Sequence, residues 1–377
     1  MTKAAELAKM GEVLTNSQIG GRRNIIINGA MQVAQRGTSF TGVGDGDNAY
    51  YIDRFEFVES GSPNGVFTLS QSSTSPDGFG NSLKFDCTTA ESSLASNEQI
   101  RLRQKIEGQN LQQFKKGTSN AEKMTVSFYV RSNLTGTAIV NLYDGDNNRH
   151  TAKSYTIDSA NTWERKTITF DGDTTGAFDD DNATSLDVIF YLQAGANFSS
   201  GTLATTWASH NDVNSAVGQT INIASSTDNE FFITGIQLEV GSVATPFEHR
   251  SFDEERSLCQ RYFQVLFETA DDNHYTGLAA GRWSTNTAYY SIPLHKIMRA
   301  EPSMTVLNKD GTASSGAAGN LQGNGSSDDY TAGNMTLQSG HDGVTTISIG
   351  LDHNPSGTHA HVAYFGNGEK IHFDAEL

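Results

Sequence analysis

Recognition of a sugar needs a flat ring on which the C–H face of a pyranose can stack, flanked by amides, carboxylates or hydroxyls. The rings placed among such groups are Trp207, Tyr191 and Trp283, with Trp163 and Tyr143 behind them. Trp207 leads, because the polar stretch Ser199 to Ser215 around it offers no evident place in a core. Trp163 directly precedes a strand pattern and reads as a core edge.

Hard cations ask for clustered oxygens. Asp144-Gly145-Asp146-Asn147-Asn148 begins like a calcium loop, yet Arg149 stands where the sixth-position Gly belongs and Tyr155 where the twelfth-position Glu belongs. That excludes an EF-hand and leaves either an irregular cation site on Asp144 and Asp146 or a plain hairpin turn. Asp179-Asp180-Asp181 offers the same choice between cation capture and a solvated turn.

Thr358-His359-Ala360-His361 sets two imidazoles on one side of an extended strand, since side chains two apart share a face. In a trimer with that strand at the axis, His359 and His361 would bring six nitrogens to one transition metal; ordinary polar packing is the alternative. A divalent cation is the one cofactor these residues suggest.

Signatures of catalysis are absent. There is no G-x-S-x-G, no H-E-x-x-H and no G-x-x-x-x-G-K-[ST], and the carboxylates are too numerous to single out a glycosidase pair. The chain reads as a non-enzyme. Cys87 and Cys259 fall in different elements and read as reduced, buried thiols.

Composition narrows the partners. Lys and Arg number 26 against 43 Asp and Glu, a formal charge of −17, so a phosphate backbone would be repelled. The longest apolar runs, such as Phe231-Phe232-Ile233, are far short of the roughly 20 residues of a membrane span. Neither nucleic acid nor membrane insertion is expected. Met1 to Met10 has no secretory apolar stretch, so the expectation is a soluble product of a cytoplasm.

With 37 Gly and 6 Pro in 377 residues, the sequence suits many short strands joined by tight turns. Leu7, Met10, Val13 and Leu14 predict a short helix, either frayed on its own domain or an anchor for an assembly. Strand patterns follow at Asn24 to Gly29, Tyr51 to Phe57, Val66 to Leu69, Ser82 to Phe85, Gln99 to Ile106 and Lys123 to Arg131. Others lie at Thr137 to Tyr143, Glu164 to Phe170, Leu186 to Leu192, Thr220 to Ile223 and Phe231 to Val240.

That succession without helical pattern between strands predicts a mainly β fold, an antiparallel jelly-roll sandwich. From Ser251 the spacing of Phe252, Leu258, Cys259, Tyr262, Phe263 and Leu266 predicts a connector helix over about 252–265, with Ser251 and Glu254 as a capping box. Beyond it, Ala288 to Ile292, Ser303 to Leu307, Thr345 to Leu351, His361 to Phe365 and Lys370 to Phe373 predict a smaller C-terminal β-sandwich, with an exposed loop from Asp310 to Gly325. The expected domains are an attachment arm 1–22, a jelly roll 23–250, a connector 251–270 and a β domain 271–377.

Asn24-Ile25-Ile26-Ile27-Asn28-Gly29-Ala30-Met31-Gln32-Val33-Ala34-Gln35-Arg36-Gly37, followed by Tyr51-Ile52-Asp53-Arg54-Phe55, resembles the opening of a domain found in phage tail-fibre and other virion appendage proteins. Thr125 to Ser132, Asn161 to Arg165, Ile233 to Gly241, Ala244 to Glu248 and Glu254 to Gln264 continue the resemblance in order, over roughly residues 24 to 300. It implies a jelly roll related to carbohydrate-binding modules, commonly in trimers, and a structural protein that binds more than it catalyses.

The function expected is therefore a short trimeric tail fibre or receptor-binding appendage of a tailed phage, attaching to a host surface glycan. Its partners would be other virion proteins of tail or capsid and two further copies of itself. It would be assembled in the host cytoplasm and reside in the virion. An architectural head-fibre, decoration or adaptor protein is the alternative, and behind it a glycan-degrading tailspike.

Overall fold

The computed structural model describes Lys3 and residues 23–44, 46–91, 93–266, 276–282, 287–307, 320–323, 329–331, 335–337, 346–352, 361–365 and 370–377. The expected N-terminal helix, apart from Lys3, lies outside the described residues. The chain divides into two units, one running to Glu255 and including Leu377, the other Arg256–Glu376.

The first unit opens with β1 (Ser39–Gly44), β2 (Asn48–Ile52), β3 (Phe55–Ser60), β4 (Val66–Ser72), β5 (Ser82–Thr89) and β6 (Gln99–Glu107). Next come β7 (Met124–Ser132), β8 (Gly136–Asp144), β9 (Arg149–Ile157), β10 (Glu164–Phe170) and β11 (Thr184–Ala194). A single-turn helix, α1 (Ala196–Ser199), precedes the two-residue β12 (Ala208–Ser209), and β13 (Glu230–Val240) closes the set. They form a six-stranded sheet, β1-β4-β5-β13-β7-β10, and a seven-stranded sheet, β12-β9-β8-β11-β6-β3-β2, every pairing antiparallel. The fold is the mainly β, antiparallel jelly-roll sandwich the alternating pattern predicts.

Alternation puts one face of each sheet into a common core. Leu186, Val188, Phe190 and Leu192 of β11 and Phe231, Ile233, Ile236 and Leu238 of β13 are buried in it. Rings join the sheets: Phe128 of β7 meets Phe190 of β11 edge-on at 5.0 Å, and Phe57 of β3 lies 6.1 Å from Phe67 and 6.3 Å from Phe85. Burying each such side chain contributes about 1.5–3 kcal/mol.

The inward residues of β13 step by two, then three, then two. The extra residue is a bulge between Thr234 and Gln237, where Gly235 takes φ +62°.

Three expected strands read differently. Asn24 to Gly29 is no strand: side chains imitate its partners. Gln104 both accepts from Ile27 N and donates to Ile27 O at 2.8 Å, Asn24 Oδ1 accepts from Ile26 N and Leu238 N, and Glu248 Oε2 accepts from Arg23 N and Asn24 N. Tyr51 to Phe57 is two strands around a turn at Asp53-Arg54, with Arg54 at φ +71°. Thr220 and Ile221 both donate to Thr137 O instead of joining a ladder, and a 3-10 turn, Ile223–Ser225, follows.

Helix α2 (Phe252–Cys259) starts as the capping box predicts, Ser251 Oγ accepting from Glu254 N at 3.3 Å. It ends six residues sooner than expected. Arg261 N and Tyr262 N turn back to Leu258 O and Cys259 O, and Phe263 enters β14 (Phe263–Leu266).

The second unit continues with β15 (Thr276–Arg282), β16 (Thr287–Pro293), β17 (Ser303–Leu307), β18 (Asn320–Gly323) and β19 (Asp329–Thr331). It ends with β20 (Met335–Leu337), β21 (Thr346–Asp352), β22 (His361–Phe365) and β23 (Lys370–Asp374). They pair as a three-stranded sheet, β14-β23-β17, and a seven-stranded one, β19-β18-β22-β15-β16-β21-β20. Part of the expected Gly/Ser-rich loop is thus the strand β18. Cys87 and Cys259 are buried thiols outside any disulfide.

Candidate functional site

Trp207 is not an open platform. It packs half-buried against the sandwich core, its Nε1–H donates to Asp171 O at 2.8 Å, and the Lys116 ammonium lies 5.2 Å from its ring centre. Tyr191, on the outward side of β11, is 3% exposed among Ile139, Ala152, Ile189 and Ala216, and burial raises its pKa. Both rings are spent on packing. Trp283 lies outside the described residues.

Asp144 already holds a cation, and it is the chain's own. Lys116 Nζ, 1% exposed, donates to Asp144 Oδ2 at 2.5 Å, Gly176 O at 2.8 Å and Thr175 O at 3.0 Å, and pairs with Asp173 Oδ2 at 3.2 Å. Arg149 grips the same Asp173 with two nitrogens, at 2.7 and 3.1 Å. Asp144 Oδ1 accepts from Asn147 N, while Asp146 Oδ2 accepts from Asp179 N, so the two carboxylates serve the hairpin turn and its neighbour. Asp181 caps its own turn by accepting from Ala183 N.

No group of three or more His, Cys, Asp or Glu is gathered as metal ligands among the described residues. His361 begins β22, and His359 lies outside the described residues.

A set of rings the sequence reading passed over comes together on the outer face of the six-stranded sheet. Phe79 lies 5.2 Å from Tyr129, 5.1 Å from Phe247 and 5.2 Å from His249, and Phe247 meets His249 at 4.9 Å. Three segments supply them. The turn Pro76-Asp77-Gly78 presents Phe79, closed by Phe79 N to Pro76 O at 3.1 Å and Ser75 Oγ to Phe79 O at 2.6 Å. Tyr129 stands on β7 opposite Thr234 of β13 and Arg165 of β10.

Glu248, anchored by accepting from Arg23 N and Asn24 N and by donating its own N–H to Gln237 Oε1, separates Phe247 and His249. The two rings meet on one side of the chain.

Gly235 is the floor. A Cβ there would meet Phe79 Cζ at 2.7 Å and Tyr129 Cδ2 at 2.9 Å. Its bare backbone, in a conformation that favours glycine, lets both rings pack close against the strand. Phe79, Tyr129 and Phe247 are half-buried and His249 is exposed.

The polar tips are not spent within the fold: among the described residues Tyr129 Oη and the His249 imidazole form no hydrogen bond. On the same face Trp163 meets Phe232 at 6.2 Å, with the Arg131 guanidinium 4.9 Å and Lys84 Nζ 5.6 Å from the Phe232 ring. Trp163 is thus a surface ring rather than a core edge. Half-buried rings with unspent polar tips can stack the C–H face of a pyranose and reach its hydroxyls.

The outer face of the seven-stranded sheet is charged instead. Arg103 bridges Glu56, at 2.6 and 3.2 Å, and Asp187, at 3.0 Å, with Lys105 3.3 Å from Glu56. Burial works to raise the Glu56 pKa, but Arg103 and Lys105 outweigh it and lower it; burial prevails at Asp187 and raises it. The carboxylates are 6% and 4% exposed, which makes this an internal ion network rather than a substrate-accessible acid and base. Nearby, burial beside His210 takes the His150 pKa down to about 4, so the ring is neutral at ordinary pH.

No protein-family model and no curated protein matches this chain. Among solved structures, the enzymatically active domain of tailspike protein 4 of bacteriophage CBA120 matches at 10% identity and a TM-score of 0.30, over 58% of this chain and 21% of that one. TmCBM61, solved with beta-1,4-galactotriose, matches at 11% identity and a TM-score of 0.27, over 58% of this chain and 99% of that one. A family 11 carbohydrate-binding module of a cellulosomal cellulase from Clostridium thermocellum matches at 13% identity and a TM-score of 0.28, over 54% and 95%.

Proposed function

We propose that the protein is a non-enzymatic glycan-binding protein of a phage particle: a short trimeric tail fibre or similar appendage that attaches to a host surface glycan. The observation that carries this reading is the patch of Phe79, Tyr129, Phe247 and His249 over Gly235, whose polar tips are unengaged. The motifs at Asn24 to Gly37, Ile233 to Gly241 and Ala244 to Glu248 support the appendage class through their resemblance.

The test is binding of the full chain to host cells and to a panel of neutral surface oligosaccharides, with Tyr129→Ala and Phe247→Ala alongside. Each substitution is expected to weaken glycan binding about tenfold, equivalent to about 1.4 kcal/mol, with no reducing ends released by the wild type. Folded protein that neither binds cells nor blocks adsorption defeats the receptor role.

A second reading, an architectural head-fibre, decoration or adaptor protein, draws on the half-burial of the same rings, which suits a protein contact as well. Imaging of the intact particle separates the two: a subunit with this patch covered by a neighbour is architectural.

A further inference from the structure

On the outer face of the seven-stranded sheet, the chain between Trp207 and Thr220 lies over the strands. Trp207 anchors one end by donating to Asp171 O, and Thr220 N anchors the other by donating to Thr137 O at 2.9 Å. Between them Ala208 pairs with His150 of β9, and Ala216 is buried against Ile139 of β8, Ala152 of β9, and Ile189 and Tyr191 of β11. The segment is the cover of that apolar cluster.

Two imidazoles and one amide fasten it. His150 is fully buried, and its Nε2 has no hydrogen-bond partner among the described residues. His210, in the cover, meets it edge-on with ring centres 4.8 Å apart, while His210 N donates to Asn148 O at 2.9 Å. The buried Asn141 amide donates to His150 Nδ1 at 3.3 Å and to Ser215 O at 3.4 Å, so one NH₂ group joins the ring to the cover. An amide nitrogen only donates, so His150 Nδ1 accepts and the ring is neutral.

A proton on Nδ1 would face the Asn141 N–H. If the amide turned over to accept it, the amide oxygen would face Ser215 O and the cover would lose its donor. Around the two rings stand Tyr143 of β8, its ring 4.9 Å from His210, Arg101 of β6, which repels a charged His210, and, beyond Tyr143, Asp187 of β11 and Asp144. Asp212 Oδ1, 3.5 Å from His210 Nε2, favours the charged form, but its side chain is 66% exposed and the attraction is screened. Burial keeps both imidazoles below the usual histidine range, and His210 adds to the effect at His150.

We propose that residues 208–216 form an acid-released cover: protonation of His150 breaks the Asn141 link and repels His210, and the segment lifts between its two anchors to bare Ile139, Ile189 and Tyr191. The closed form is undisturbed above about pH 6.5, the ordinary histidine value, and loses ground to the open one as pH falls from there towards about 4. The surface so released lies on the sheet opposite the aromatic patch and is independent of glycan binding there.

Hydrogen exchange of the full chain at about pH 7.5 and about pH 4.5, read as protection factors, tests it. The peptide spanning 208–216, whose His210 and Ala216 amides are bonded to Asn148 O and Phe198 O, is expected to lose protection at least about tenfold while β13 keeps its own. Two variants on the solvent side of the pair carry opposite signs. His210→Asn removes one cation and is expected to move release to lower pH; Asp212→Asn removes the opposing carboxylate and is expected to move it higher. Protection at 208–216 that does not respond to acid, a loss shared equally by β13, or a release pH that neither variant moves overturns the proposal.

Discussion

Lys116 illustrates how one side chain settles what a sequence pattern leaves open. Two carboxylates and two main-chain carbonyls surround its ammonium, a donor set a calcium ion would also accept. The amine is pre-installed by the chain, so no ion is needed to neutralise Asp144 and Asp173. Removing one partner of a buried pair leaves uncompensated charge and costs about 3–5 kcal/mol. Lys116→Ala is therefore expected to lower the urea-unfolding free energy by about that amount, with millimolar calcium recovering part of it. Wild-type stability should not respond to calcium; a rise in its unfolding midpoint would show that the ammonium does not fill the cage. The residue count could not reveal this, because Lys116 lies 28 positions from Asp144 and 57 from Asp173.

Elements were legible where burial is one-sided. β6, β7 and β10 alternate between core and outer face, and their expected spans match within about two residues. Legibility failed where side chains replace a backbone ladder, as at Asn24 to Gly29, or where a turn hides inside an apolar run, as at Asp53-Arg54. It failed again at the end of α2, since Tyr262, Phe263 and Leu266 are buried in a helix or a strand alike. β9, with Arg149, Lys153 and Ser154 among its nine residues, carried too little apolar signal to be found.

The rings of the patch come from positions 79, 129, 247 and 249, which only strand order brings together. One local clue existed: a Gly inside the β13 pattern marks a bulge or a close approach. Gly29 shows the same logic from the other partner, since a Cβ there would meet Ile236 O at 2.1 Å, and Ile236 N donates to Gly29 O at 3.0 Å. Neither backbone can yield without breaking the bulge. Gly29→Ala is expected to destabilise by about 1–3 kcal/mol in urea unfolding. A loss under about 0.5 kcal/mol, the size of an ordinary surface change, would mean that the two backbones are not locked together.

At the scale of the whole molecule, a shallow patch sets a limit on single-site strength. Rings left half in water desolvate little of a sugar, so one patch should hold its ligand only in the region of about 1 mM. Useful attachment then has to come from repetition, because linked sites turn the second encounter into an intramolecular one and can raise avidity by about 10²–10⁴. Two of the four sandwich edges are poorly suited to strand pairing: β12 has two residues, and β10 carries Glu164, Arg165 and Lys166 along its length. The expected outcome is a sedimenting species of three times the 40.7 kDa chain. Its binding to a glycan-coated surface should be at least about a hundredfold stronger than to the same oligosaccharide free in solution. A monomer that held surface and free oligosaccharide equally well would remove repetition from the mechanism, leaving a patch too weak by itself to anchor a particle.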